Sequence, residues 1–271
     1  MKGNYQMKTI IFALLLAASL SAYADLNTHI FGGTAVQAGD PIASTTVFVS
    51  GKTHLGYYVC SGSLIAQDIV VTAAHCVVDG EQNAFRIIFK TDVPVSYLTE
   101  KPSVSDDDPS VRQTYGAIAN PDYDKKLTQD AHDIAIIRIR GDLPSGYQPA
   151  TLLDPQAVLT AGEAVTLAGY GSTNPYLSGK GGELNKVVVN IKQTLGQTEV
   201  VVDQTEGKGG CWGDSGGPAF VQNGNQLLLW GLTNRAFPQD ERTCNHGAVY
   251  TRITDYSDFI ASSEATLRSQ N

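Results

Sequence analysis

The sequence predicts an all-β protein closed by one C-terminal helix. Three observations predict it. Short segments rich in Val, Ile, Thr and Tyr recur along the chain, and clusters of Gly, Pro, Asn and Asp separate them. Nowhere do they alternate with amphipathic helices of comparable length, which argues against a parallel α/β sheet. Helical spacing of apolar residues occurs once, at the C-terminus. Composition agrees. Of 271 residues, 42% are hydrophobic and 17% charged, enough apolar material for a core and too little charge for a coiled coil. The 27 glycines follow no fixed period, so a collagen-like chain is excluded. The formal net charge of −8 makes binding to a phosphate backbone a poor first expectation.

The elements follow in chain order. Lys2 and Lys8 precede an apolar run over residues 10–20, and Ala22-Tyr23-Ala24 follows. This is the pattern of a signal peptide over 1–24: a basic start, a short apolar stretch and a small-x-small cleavage site. The run is too short to span a bilayer as a helix, and no later segment is long and apolar enough. Met1 and Met7 are the only methionines, and the signal is complete from Met7. Export to an extracellular or periplasmic space is therefore expected, and the four cysteines read as disulfides. Strands are predicted over 45–50, 57–65, 69–73, 85–90, 134–139, 164–168, 186–192, 199–202, 226–233 and 248–253. Residues 103–110, with Asp106-Asp107-Asp108, lack the ligand pattern of a calcium loop and read as a solvated acidic loop. Residues 171–182 read as a mobile Gly- and Ser-containing loop. Tyr256, Phe259, Ile260 and Leu267 then carry the helical spacing, with Asp255 as the predicted N-cap. No repeat or interdomain linker is present.

Three short patterns carry the chemistry. They are Val71-Thr72-Ala73-Ala74-His75-Cys76, Asp133-Ile134-Ala135-Ile136 and Gly213-Asp214-Ser215-Gly216-Gly217-Pro218. Singly, His75 reads as a packed core histidine, Asp133 as a strand-start residue and Ser215 as a turn residue. Their joint occurrence in the order His, Asp, Ser is much harder to reach by chance. From Ile30 onward the chain resembles the trypsin/chymotrypsin family of serine proteases. Supporting landmarks are Ile30-Phe31-Gly32-Gly33, Gly169-Tyr170-Gly171 and Val249-Tyr250-Thr251.

The resemblance implies one protease domain over 30–271, built as two six-stranded antiparallel Greek-key β-barrels with a C-terminal α-helix. It implies a secreted serine endopeptidase with protein or peptide substrates, with protein protease inhibitors as a further partner class. It implies a monomer with no cofactor, no metal and no nucleic-acid partner. A serine hydroxyl is a weak nucleophile at neutral pH and needs an adjacent base. His75 is expected to take the Ser215 proton, and Asp133 to hold the imidazole tautomer and stabilise the imidazolium. The N–H groups of Gly213 and Ser215 are expected to form the oxyanion hole. Asp130 and His132 flank Asp133 and are read as surface residues, because the apolar run after Asp133 matches the family motif.

Four cysteines allow three pairings, and the resemblance selects Cys60 with Cys76 and Cys211 with Cys244. A zinc reading is weak, since no Cys-x-x-Cys occurs and the neighbouring histidines are only His75 and His246. The resemblance also implies a propeptide over 25–29. Cleavage before Ile30 would free an α-amino group to pair with Asp214 and order the oxyanion hole. His29 precedes the cut, where the family's precursors usually carry Arg or Lys. The family's pocket floor lies six residues before the nucleophile, at Gly209, with walls near Ala236 and Ala248. The absence of an acid there removes the basis for a Lys or Arg preference and suggests a small or apolar residue before the scissile bond. Glu206, Asp240 and Glu241 are the neighbouring acids. Asn234 and Arg235 stand where the family usually has Ser and an aromatic residue.

Two other function classes fit the sequence less well. A catalytically silent protease-like binding or adhesion module usually shows a replaced triad member, whereas His75, Asp133, Ser215 and Gly213 are all present. An esterase or lipase shares the Gly-x-Ser-x-Gly pattern at 213–217. It requires the catalytic histidine last in the chain and an amphipathic helix directly after the serine, whereas His75 precedes Ser215 and glycines and a Pro follow it.

Overall fold

A computed structural model of the protein describes residues 30–54, 56–78, 80, 85–95, 99–176 and 180–270. The expected signal peptide (1–24) and propeptide (25–29) lie outside the described residues, as do 177–179 of the expected loop.

Strand β1 (Thr34–Ala35) leads to helix α1 (Pro41–Thr45). Asp40 caps α1: its Oδ1 accepts the Ile42 N–H at 3.0 Å, and Pro41 fills the first turn. The first barrel comprises β2 (Thr46–Thr53), β3 (Gly56–Ala66), β4 (Ile69–Thr72), β5 (Arg86–Ile88), β6 (Val111–Ala119) and β7 (Ala135–Ile139), with the helical turn α2 (His75–Val78) after β4. A short strand, β8 (Thr151–Leu152), precedes the second barrel. That barrel comprises β9 (Ala164–Gly169), β10 (Asn185–Leu195), β11 (Glu199–Asp203), β12 (Pro218–Asn223), β13 (Gln226–Ala236) and β14 (Gly247–Arg252). A 3-10 turn (Ile253–Tyr256) and helix α3 (Ser257–Ser269) end the fold.

Each barrel closes with six antiparallel strands. The first runs β2-β3-β4-β7-β6-β5, and the second runs β9-β10-β11-β14-β13-β12 and returns to β9. Both rings therefore place their strands in the order first, second, third, sixth, fifth, fourth, and closure leaves neither barrel an open edge.

The predicted strands agree with ten of the twelve barrel strands. The two unread ones have physical reasons. Strand β6 mixes Arg112, Gln113 and Gly116 into its run, and its burial alternates irregularly. Strand β12 opens on Pro218 directly after the glycine-rich turn and is only six residues long. The predicted N-cap is also corrected. Asp255 lies inside the 3-10 turn, and α3 begins after Tyr256 with no side-chain cap.

Many strands are buried on both faces, which is why they read as apolar runs rather than alternating ones. Along β2, Val47 and Val49 join a cluster with Val70, Ile87 and Ile137 of the first barrel. Phe48, between them, faces a second cluster that unites both halves. That cluster includes Val71 and Ile136, Tyr170 and Phe220, and Leu267 of α3. The second barrel packs Leu167, Val189, Val200 and Val202 around the fully buried Trp230.

Candidate active site

The register of β4 with β7 brings His75 to Asp133. Thr72 lies opposite Ala135 in that antiparallel pair, so the residues just beyond each strand end meet across the gap. Asp133 is 1% exposed. Its Oδ1 accepts the His75 backbone N–H at 2.9 Å, and its Oδ2 lies 2.7 Å from His75 Nδ1. With the Nδ1 proton directed at the Asp133 carboxylate, Nε2 is the acceptor nitrogen of the ring.

Ser215 lies on the loop between β11 and β12. Its carbonyl accepts the Ser61 N–H from β3 at 2.8 Å, and Cys76 Sγ sits 3.8 Å from the same oxygen. The loop from the second barrel is thereby seated on the residue after His75. Ser61 is fully buried and does more: its Oγ donates to the Gly213 carbonyl and accepts the Tyr170 N–H, both at 3.0 Å. The amides of the loop divide into two groups. Those of Asp214, Gly216 and Gly217 donate to the carbonyls of Cys211, Thr233 and Asp214. Those of Gly213 and Ser215 have no acceptor among the described residues. Gly213 has φ 93°, a conformation L side chains resist, and this turns its N–H away from the loop's internal bonds.

Asp214 is buried beneath this loop. Its Oδ1 accepts the Gly171 N–H at 2.8 Å and its Oδ2 the Cys211 N–H at 2.7 Å. The Gly169-Tyr170-Gly171 landmark follows from close approach. A Cβ on Gly169 would come within 2.3 Å of Asp214 Oδ1, and one on Gly171 within 2.5 Å of its Cγ. No cation pairs with Asp214 among the described residues, and burial pushes its carboxyl up to about 7 despite the two N–H donors. The Ile30 side chain is buried with Leu167, Val189 and Trp230, and the Phe31 carbonyl accepts the Gly209 N–H at 2.9 Å.

Both disulfides pair as the resemblance implied: Cys60 with Cys76 and Cys211 with Cys244. The sulfurs next to His75 are joined to each other, so they offer no thiolate pair to a metal.

A cavity of about 150 Å³ opens beside Ser215. Ala236 and Ala248 line it, together with Trp212, Thr233, Gly247 and Gln204. Gly209 is not among the residues that line it. The buried amide of Gln204 is part of the lining. It accepts the Gly210 N–H at 2.8 Å and donates to the carbonyls of Gly210 and Cys244, which consumes both amide hydrogens. Glu206 pairs with Lys208, and Glu241 with His246 and Thr243, so neither acid lines the cavity; nor does Asp240.

A family model for trypsin matches residues 30–260. The chain belongs to the trypsin family. Among its relatives is phenoloxidase-activating factor 1 of Holotrichia diomphalia, 31% identical over 235 residues that cover 77% of this chain and 62% of that protein. Chymotrypsin-like elastase family member 1 of Bos taurus is 24% identical and aligns over 94% of this chain and 97% of its own length. A solved HL collagenase structure shares the fold, with a TM-score of 0.69, 20% identity, and coverage of 87% of this chain and 99% of that one.

Within this trypsin-family fold, one of the sequence readings changes. Asp130 and His132 are not free surface residues. The Asp130 carboxylate accepts the Thr198 N–H and hydroxyl, each at 2.8 Å, and His132 Nδ1 lies 3.0 Å from the Tyr256 hydroxyl. Arg235 and Asn234 both bond the buried Glu199. The acidic loop is solvated as read, with Asp106 and Asp107 exposed; Asp106 pairs with Arg86 and Lys101, and Asp108 with Lys90. The sequence reading missed Ser61, Gln204 and Glu199 as site residues. Ser61 adjoins Cys60, and that adjacency was the one available signal. Glu199 opens the predicted strand 199–202, Gln204 follows it, and neither carries a local signature.

Proposed function

We propose that the protein is a secreted serine endopeptidase that cleaves peptide bonds through an acyl-enzyme. The observation that carries this reading is the pair of hydrogen bonds that buried Asp133 accepts from His75, set beside a Ser215 loop in which two N–H groups have no acceptor among the described residues. In this reading the Ser215 Oγ attacks the scissile carbonyl carbon while His75 Nε2 takes its proton. The carbonyl oxygen gains the charge, and the N–H groups of Gly213 and Ser215 receive it. Collapse of the tetrahedral species expels the amine, which takes the proton back from His75. Water then repeats the sequence and frees the acid. One oxyanion donor is worth about 3–4 kcal/mol to such a transition state.

The cavity supports a small or apolar residue before the scissile bond, since no acid lines it and Arg235 in its lining is paired with Glu199. Asp214, buried with no cation beside it among the described residues, supports the activation reading, in which a new α-amino group at Ile30 supplies the missing charge. Two disulfides support an oxidising destination. Labelling with a serine-reactive phosphonate tests the reading. The processed protein is expected to label, and Ser215→Ala to remain unlabelled. Equal labelling of both, or of neither, refutes it. Peptide libraries test the pocket, and a strong preference for Lys or Arg refutes the neutral specificity.

A further inference from the structure

Glu199 opens β11 with its side chain fully buried, yet all of its acceptor capacity is used. Oε1 accepts the Ala131 N–H at 3.1 Å, Asn234 Nδ2 at 3.0 Å and Arg235 Nη1 at 2.7 Å. Oε2 accepts the Asp130 N–H at 3.0 Å and Arg235 Nη2 at 2.8 Å. The Arg235 fork is thus bidentate, the geometry in which a buried carboxylate is best compensated. Its Nη2 also donates to the Thr128 carbonyl at 2.8 Å.

These bonds cross between the barrels. Glu199, Asn234 and Arg235 belong to the second, while residues 128–131 approach Asp133 and β7 of the first. Asp130 and His132 hold φ of 50° and 54°, in the left-handed region that non-glycine residues rarely occupy. Such conformations persist only where the surroundings over-determine them. Here the surroundings are Glu199 on the amides of 130 and 131, Thr198 on the Asp130 carboxylate and Tyr256 on His132. The next residue is Asp133.

We infer that Glu199, neutralised by Arg235, is a positioning residue that holds the Asp133 carboxylate in hydrogen-bonding reach of His75 from across the barrel interface. The inference rests on the proposed triad for its kinetic consequence, but not for its geometric one. It also accounts for the departure at 234 and 235: both side chains are directed to Glu199 rather than left for substrate. Arg235, although it lines the cavity, has its charge committed and is not an open receptor for acidic substrates.

The test compares Glu199→Gln, Arg235→Lys and Glu199→Gln/Arg235→Gln with Val221→Ala, a core truncation in the second barrel away from this cluster. The structural readout is the low-field proton resonance of the His75 Nδ1–H···Asp133 bond, which needs no turnover. Glu199→Gln is expected to shift or lose that resonance. It is also expected to lower kcat on the order of ten- to a hundredfold, as small misplacements of catalytic groups do, with KM within about twofold. Arg235→Lys keeps the charge but not the fork, and is expected to do the same more weakly. The double variant removes the stray charge and is expected to regain thermal stability without regaining the resonance. Val221→Ala is expected to lose stability and keep both resonance and kcat. An unchanged resonance with unchanged kcat in Glu199→Gln overturns the inference, whatever happens to the melting temperature. If Glu199→Gln does not fold, Arg235→Lys decides by the same two readouts. If the wild type shows no turnover, the triad reading fails while the resonance still decides this one.

Discussion

Asp133 holds His75 by two bonds at once, one to the backbone N–H at 2.9 Å and one to ring Nδ1 at 2.7 Å. The backbone bond fixes where the residue sits, and the ring bond fixes which nitrogen carries the proton. Asp133→Asn separates the two effects. Its carbonyl oxygen can keep the backbone bond, but its NH₂ then faces Nδ1 and forces the proton onto Nε2. The expected result is a fall in kcat on the order of 10⁴-fold with the fold and KM little changed. Steady-state kinetics with active-site titration check it, and a loss below tenfold contradicts the proposed role.

Asp214 predicts a pH dependence with a definite sign. Its carboxyl is raised by burial to about 7 in the folded chain, against an ordinary value of 3.8. Between those values the folded state holds a proton that the unfolded state has released. Stability of the chain uncleaved before Ile30 should therefore fall as pH rises from about 4 to 7, at up to about 1.4 kcal/mol per pH unit. Asp214→Asn should flatten the slope. Denaturant titrations at several pH values measure both. If a new Ile30 α-amino group pairs with Asp214, the cleaved protein should lose the slope too. Full activity in a chain that begins at Asp25 contradicts the switch.

Position 209 leaves no room for an acidic side chain. A Cβ on Gly209 would lie 2.3 Å from Gln204 Cδ, and Gln204 is pinned by hydrogen bonds at both ends of its amide. Gly209→Asp alone should lower stability by about 1–3 kcal/mol, as overpacking does, and leave cleavage after Lys or Arg undetectable. Adding Gln204→Ala should open the space and let the new carboxylate reach substrate. Melting curves and kcat/KM on Lys, Arg, Leu and Ala substrates distinguish the two variants.

The disulfides differ in the loops they close. Cys60 and Cys76 are 16 positions apart, and Cys211 and Cys244 are 33 apart. Loop-closure entropy gives about 3 kcal/mol for the first and nearly 4 for the second. Paired Cys→Ala variants should lose stability in that order, read from denaturant midpoints. The second pair also contributes Cys211 and Cys244 to the cavity lining, so its removal should raise KM more than the first.

Much of this was legible in the chain. Strand periods, turn residues and one helical stripe specify the all-β architecture locally, because each strand's apolar run and its bounding turns lie within a few residues of each other. The motifs around His75, Asp133 and Ser215 were legible for the same reason. Strands β6 and β12 were not. Their stability comes from pairing partners, Arg86–Ile88 and β7 for one and β13 and β9 for the other, not from their own composition.

What the sequence determined by itself is the fold class, the cysteine count, and the residue types that a serine hydrolase needs, in their order. Only the tertiary structure decided what surrounds them. It set Gln204 in the cavity lining, Ser61 under the Ser215 loop, and Glu199 on the backbone before Asp133. Each of these is a polar side chain whose partners lie on another segment of the chain. Burial makes an unpaired polar group costly, so its position depends on donors and acceptors brought close by folding rather than on its neighbours in sequence.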